Sequence, residues 1–173
     1  PRQVQESRTW YNPSYWHGVE PSTQRKAMPP ARSAPWYVAA FQEDYLRRYE
    51  HRGQAQADAE TPFLLRVLDQ PTGEGARGSL SKLPARARVL DLCCGAGRYC
   101  CALARAGCEV VGVALSLPLL RRAREGHVRP QFVRADMRRL PLADECFDGA
   151  VNLFTSFGYF EYDAEDLAAL REA

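Results

Sequence analysis

The sequence predicts an α/β protein whose parallel strands carry helices on both faces, preceded by N-terminal helices. Three observations lead there. From Arg86 onward short apolar runs alternate with helical stretches, the pattern of a parallel sheet with crossover connections. The first of these runs passes through a glycine-containing turn into a helix. Ahead of it, two segments carry apolar residues at helical spacing.

Residues 1–33 hold Pro1, Pro13, Pro21, Pro29 and Pro30 among Trp10, Tyr11, Tyr15 and Trp16, with no regular period. They read as an irregular extension. Residues 34–85 read as a helical segment and linker. Within it residues 36–52 form one amphipathic helix with Phe41, Tyr45, Leu46 and Tyr49 on one face. Residues 54–69 form a second, with Phe63, Leu64, Val67 and Leu68 on the buried stripe. Pro62 marks a kink or a late start there. Pro71, Gly73, Gly75, Gly78 and Pro84 make residues 71–85 a linker.

The domain proper spans residues 86–173. Strands are expected at Arg88–Leu92, Glu109–Val113, Gln131–Arg134 and Phe147–Phe154. Helices are expected at 98–106 and 116–125, with a last one from about Ala164. Ser116 has the chemistry of a helix cap.

A hydrophobic fraction of 46% suffices for a core and argues against a disordered chain. The formal net charge of +2 gives no case for nucleic acid or an anionic membrane as partner. Lys26 and Lys82 are the only lysines among 23 basic residues, a compositional bias rather than a recognition surface. No apolar run approaches the roughly 20 residues of a membrane span, and the first 30 residues hold no signal-peptide core. A cytoplasmic protein is expected. The six cysteines form no C-x-x-C pair and no zinc spacing, so they read as small buried thiols.

The sharpest signal is VLDLCCGAGR, residues 89–98. A buried strand carries a carboxylate, Asp91, then turns through Gly95 and Gly97 into a helix. Glycines let a ligand approach the backbone, and the helix start offers free N–H groups. A phosphate loop would need Lys and Ser/Thr after the second glycine; a dinucleotide fingerprint would need glycine at position 100, which is Cys. Asp91 would repel a pyrophosphate and attract an ammonium group. The expected ligand therefore has an amino acid moiety and little negative charge.

VLDLCCGAGR, EVVGVALS, FVRADMRRLP and FDGAVNLFTSFGYF, in that order, resemble a class I S-adenosylmethionine-dependent methyltransferase of the small bacterial methyltransferase-domain type. The resemblance covers about residues 36–173. It implies a Rossmann-like three-layer sandwich, here partial, with strands ordered 3-2-1-4 out of the family's seven. The chain begins at Pro1 and stops at Arg171-Glu172-Ala173 within a helix, and reads as C-terminally truncated. Strand 4 would then be an exposed apolar edge, open to self-association.

The resemblance also implies roles. Asp91, Cys93, Gly95 and Gly97 hold the cofactor's amino acid end, Cys93 standing where the family has its first glycine. Ala114 occupies the place of the acid that takes both ribose hydroxyls, beside Leu115. Losing that acid costs on the order of 2–4 kcal/mol of affinity. Glu109, at the other end of the strand, cannot replace it. Asp136 accepts from the adenine amino group, or serves only as a turn residue, and Met137 covers the base. Asn152, Leu153 and Phe154 meet the methionine portion. Residues 155–160 face the acceptor, with Phe157, Tyr159 and Phe160 either shaping a pocket or filling core. Tyr49 and Arg52 close over the cofactor from a lid helix, where His51 is a less favoured general base.

The expected function is methyl transfer from S-adenosylmethionine to a small-molecule acceptor, with no catalytic residue or metal assigned. Alternatives are a non-catalytic or truncated methyltransferase-like binding protein, favoured by Ala114, and an NAD-type oxidoreductase, disfavoured by Asp91 and the failed dinucleotide pattern.

Overall fold

The computed structural model describes residues 35–69, 83–84, 86–126, 128, 130–154 and 156–173. The extension at 1–33, most of the linker at 71–85 and Thr155 lie outside the described residues.

Four parallel strands form one sheet in the order β3-β2-β1-β4: β1 (Arg88–Leu92), β2 (Glu109–Ala114), β3 (Gln131–Arg134) and β4 (Gly149–Asn152). Val89, Leu90, Asp91 and Leu92 are all buried, as both faces of a central parallel strand must be. Asp91 pairs with Gly112 on one side and Val151 on the other. β4 is shorter than residues 147–154, and β2 reaches one residue further, to Ala114.

Helices lie against both faces. On one, α4 (Arg98–Arg105) brings Cys100 and Leu103 onto Val89, Val110 and Val151, with Leu65 and Leu68 beside them. On the other, α6 (Asp163–Glu172) brings Ala169 against Leu90, Leu92 and Val113. α5 (Leu117–Ala123) buries Leu119, Leu120 and Ala123. Ser116 caps α5 as expected, its side chain accepting from the Leu119 N–H.

Three helices precede the sheet: α1 (Trp36–Ala40), α2 (Glu43–Arg48) and α3 (Gln54–Leu68). The single helix expected over 36–52 is thus broken. Gln42 is extended, at φ −110° and ψ −164°, and the Ser116 hydroxyl donates to the Phe41 carbonyl, which leaves the helical ladder. α3 runs through Pro62 without a late start. Its inward face is Ala57, Thr61, Leu64 and Leu68; Phe63 and Val67, expected inside, are 58% and 36% exposed. The phase is fixed by α4, against which Gln54 donates to the Arg98 carbonyl (2.8 Å) and Asp58 pairs with Arg105.

Candidate functional site

A cavity of about 840 Å³ opens at the carboxyl ends of the strands, between the sheet and α1–α2. Its floor is the turn from β1 into α4. Three residues there adopt left-handed backbone: Cys93 (φ 63°), Gly95 (φ 56°) and Gly97 (φ 72°). The turn is pinned by Cys94 N–H to Val113 O (2.9 Å) and Gly97 N–H to Cys94 O (3.0 Å). Gly95 lines the cavity. Gly97 does not; it caps α4, and a Cβ there would meet Phe132 Cζ at 2.8 Å and Ala123 Cβ at 2.9 Å. Its glycine serves helix–strand packing first. Cys93 holds a left-handed conformation that favours glycine, and its Sγ lies 3.4 Å from Met137 Sδ. Burial, then the neighbouring Cys94 and Asp91, push its thiol up to about 12, so it is a protonated wall of the site.

Asp91 is 2% exposed yet lines this cavity. Burial pushes its carboxyl from 3.8 up to about 7; the Cys100 thiol, which donates to Oδ2 at 3.0 Å, and the charge of Arg98 act in the opposite direction. No cation pairs with it among the described residues. An ammonium group in the cavity would stabilise the anion and lower that value again.

Above the turn two guanidinium groups converge on one ring. Arg98 Cζ lies 4.3 Å and Arg52 Cζ 5.1 Å from the Phe154 centroid, and Arg52 also covers Tyr49 at 4.7 Å. Arg98 donates to the Arg52 carbonyl (3.4 Å). Among the described residues neither forms an ion pair. Two like charges beside an unpaired buried acid make a complement for a zwitterion, with the carboxylate toward the arginines and the ammonium toward Asp91.

At the end of β2, Ala114 presents only a methyl group to the cavity. Its register partner on β3 is Arg134, whose Nε donates to the Leu115 carbonyl at 3.1 Å. Beyond β3, Asp136 and the buried Met137 line the wall. Arg138 donates to Asp136 from its backbone N–H (2.9 Å), Nε (2.9 Å) and Nη2 (2.5 Å), and this holds the carboxyl below its ordinary range. Asp136 is therefore a turn residue that also faces the cavity.

The roof is aromatic. Phe41 stacks on Tyr159 (5.6 Å), Trp36 meets Tyr159 edge-on (5.1 Å), and Tyr37 meets Phe160 (5.7 Å). Tyr159 and Phe160 line the cavity, whereas Phe157 is 45% exposed and outside it. Leu153 lines the cavity; Asn152 and His51 do not.

Residues 89–173 match the family model described as a methyltransferase domain. Through this segment the chain is similar to methyltransferases. It is 45% identical over 71 residues to the malonyl-[acyl-carrier protein] O-methyltransferase of Pseudescherichia vulneris, covering 40% of this chain and 28% of that protein. It is 36% identical over 84 residues to the putative methyltransferase YqeM of Bacillus subtilis (strain 168), covering 47% of this chain and 34% of that one. Streptomyces venezuelae DesVI superposes with a TM-score of 0.55 at 26% identity, covering 73% of this chain and 48% of DesVI. CalS10, an amino pentose methyltransferase from Micromonospora echinaspora solved with SAM bound, gives 0.54 at 26% identity over the same shares. The chain thus spans about a third or less of the length of these curated relatives and about half of these solved ones.

The fold brings Tyr49 and Arg52 from the N-terminal helical segment together with Asp91, Cys93, Gly95, Ala114, Leu115, Asp136, Met137 and Leu153 around one cavity. Gly97 and Asn152 stand outside its lining. Sequence reasoning passed over Arg98 and Arg134. Arg98 ends the glycine motif itself and was legible there; Arg134 needed the β2–β3 register.

Proposed function

We propose that the chain acts in methyl transfer from S-adenosylmethionine to a small-molecule acceptor. The observation that carries this reading is the charge arrangement of the cavity floor. Asp91, buried with no cationic partner among the described residues, lines the same cavity as Arg52 and Arg98, which fits the ammonium and carboxylate of a methionine moiety. A neutral or wholly anionic ligand would not match both.

When bound, S-adenosylmethionine supplies an electrophilic methyl group on a sulfonium. The chain's residues orient and enclose it. Asp91 holds the ammonium, Arg52 and Arg98 hold the carboxylate, and Gly95 permits close approach. Asp136 and Met137 receive the adenine, and Tyr49 with the aromatic roof excludes water. Leu153 and Phe154 border the reacting end. Positioning and desolvation are what such a site contributes. A cavity of about 840 Å³ has the size of a cofactor with a small acceptor.

Ala114 favours a second reading, a non-catalytic relative that keeps the pocket. Calorimetric titration of S-adenosylmethionine and S-adenosylhomocysteine into the folded chain separates the two. Saturable binding with methyl transfer in an acceptor screen supports the first reading, and binding without transfer supports the second. No binding by a folded chain sinks both.

Residues 34–85 serve as lid and linker to the domain at 86–173. Among the described residues no helix is long and apolar enough to cross a membrane, and all six cysteines are free, which supports a cytoplasmic setting. β4 pairs with β1 alone in the described sheet, beside exposed Phe63 and Val67, which supports self-association along that edge. Sedimentation at rising concentration tests it; a strictly monomeric chain overturns it.

A further inference from the structure

The six cysteines form no recognisable redox motif in sequence, yet the fold brings two of them together beneath the cavity. Gly112 leaves a notch on β2. The point where its Cβ would stand is 2.6 Å from Cys100 Sγ and 2.9 Å from Cys94 Sγ. Both thiols thus stand at the same notch, neighbours of one another. Cys94 is half-buried and is one of the residues that line the cavity. Cys100 is fully closed to solvent, and its thiol donates to Asp91 Oδ2 at 3.0 Å. The arrangement is an outer thiol, an inner thiol, and a carboxylate already bonded to the inner proton.

We propose that Cys94 and Cys100 are a reversibly oxidised pair, and that their disulfide disables the floor of the cavity. The oxidant is a low-molecular-weight disulfide. The Cys94 thiolate attacks one of its sulfurs; that S–S bond breaks, and one thiolate leaves and takes up a proton. Cys100 then passes its proton to Asp91 and attacks Cys94 Sγ, displacing the second small thiolate, which is protonated in turn from Asp91. Two protein thiols are oxidised to one disulfide and the small disulfide is reduced to two thiols. The Cys94 contact and burial push the Cys100 thiol well above its ordinary value, so Cys100 resolves the exchange and does not start it. The disulfide removes the S–H donor from Asp91 and ties the glycine turn to α4. The carboxylate then loses a bond that stabilises its anion, and with it part of its attraction for an ammonium group.

The effect on the ligand rests on the proposed function; the disulfide itself does not. The chain is incubated with oxidised glutathione and digested with trypsin without reductant. Cleavage after Arg88, Arg98 and Arg105 leaves Cys94 in residues 89–98 and Cys100 in residues 99–105. The expected product is these two peptides joined, two hydrogens lighter than their sum. The link should persist in Cys93→Ser and Cys101→Ser and vanish in Cys94→Ser and in Cys100→Ser. Unlinked peptides in the wild type, or a link that survives Cys94→Ser, overturn the pairing. Oxidation should weaken S-adenosylhomocysteine binding about tenfold, restored by dithiothreitol, in the wild type and not in Cys94→Ser. A mapped disulfide with unchanged affinity overturns the disabling role. A mapped disulfide in a chain whose reduced form binds no S-adenosylhomocysteine upholds the pair and overturns the cofactor reading.

Discussion

Ala114→Asp should tighten binding of S-adenosylhomocysteine if the ribose lies at the end of β2. Ala114 is 6% exposed and points toward the cavity, so the new carboxylate would be largely desolvated. Arg134, its register partner, is fixed by its Nε on the Leu115 carbonyl and leaves its other N–H groups to offset part of that cost. Two charge-assisted hydrogen bonds to the ribose hydroxyls contribute gross about 3–6 kcal/mol. Burying a carboxylate beside one guanidinium costs back roughly half. A net gain of about 1.5–3 kcal/mol is a factor of about 10 to 100 in Kd. The assay is calorimetric titration of wild type and variant, with circular dichroism confirming equal folding. Ala114→Asn, which accepts without a charge, should fall between them. A folded Ala114→Asp variant with wild-type affinity would refute the placement of the ribose.

Asp91→Asn should stabilise the free chain while abolishing ligand binding. The folded carboxyl, at about 7, holds its proton more tightly than the unfolded one at 3.8. Its ionisation therefore costs nothing below about pH 4 and progressively more as pH rises through 7. Urea unfolding should show the variant's advantage growing from near zero at pH 4 toward roughly 4 kcal/mol at pH 8. A pH-independent difference would contradict this. Gly97→Ala should destabilise by about 2–4 kcal/mol, combining left-handed strain with the clash against Phe132 and Ala123. A loss under about 0.5 kcal/mol in denaturant melts would mean the turn is not held as described. Arg52→Met with Arg98→Met should cost more than tenfold in affinity for S-adenosylhomocysteine and much less for adenosine. Equal losses for both would remove the arginines from the carboxylate.

What the sequence disclosed was local, and what it hid was convergence. The β1 turn was legible because an apolar run, a carboxylate and two glycines lie within residues 89–98. The strand order came from the family resemblance and held. The break at Phe41–Gln42 was not legible. Apolar spacing runs through it unbroken, and its cause is Ser116, remote in sequence. α3 offered two adjacent apolar stripes, and only the docking of α4 selects Ala57, Thr61, Leu64 and Leu68 over Phe63 and Val67. The anomaly at Ala114 could be seen in EVVGVALS, but not that a guanidinium stands opposite. Arg52 was marked by the resemblance and Arg98 stands at the end of the glycine motif, but their meeting was not legible; Phe154, arriving from the end of β4, brings them together.

The hydrogen bond from Ser116 to the Phe41 carbonyl has a consequence for timing. It joins the break between α1 and α2 to the cap of α5, so any movement that lifts α1–α2 away from α5 must break this latch first. If a ligand passes by that movement, its entry and exit share one opened state and are slowed together. Loosening the latch would shorten the residence time of a bound molecule with little change in the equilibrium. Tightening it would hold a spent ligand longer and set the ceiling on turnover by the rate of opening.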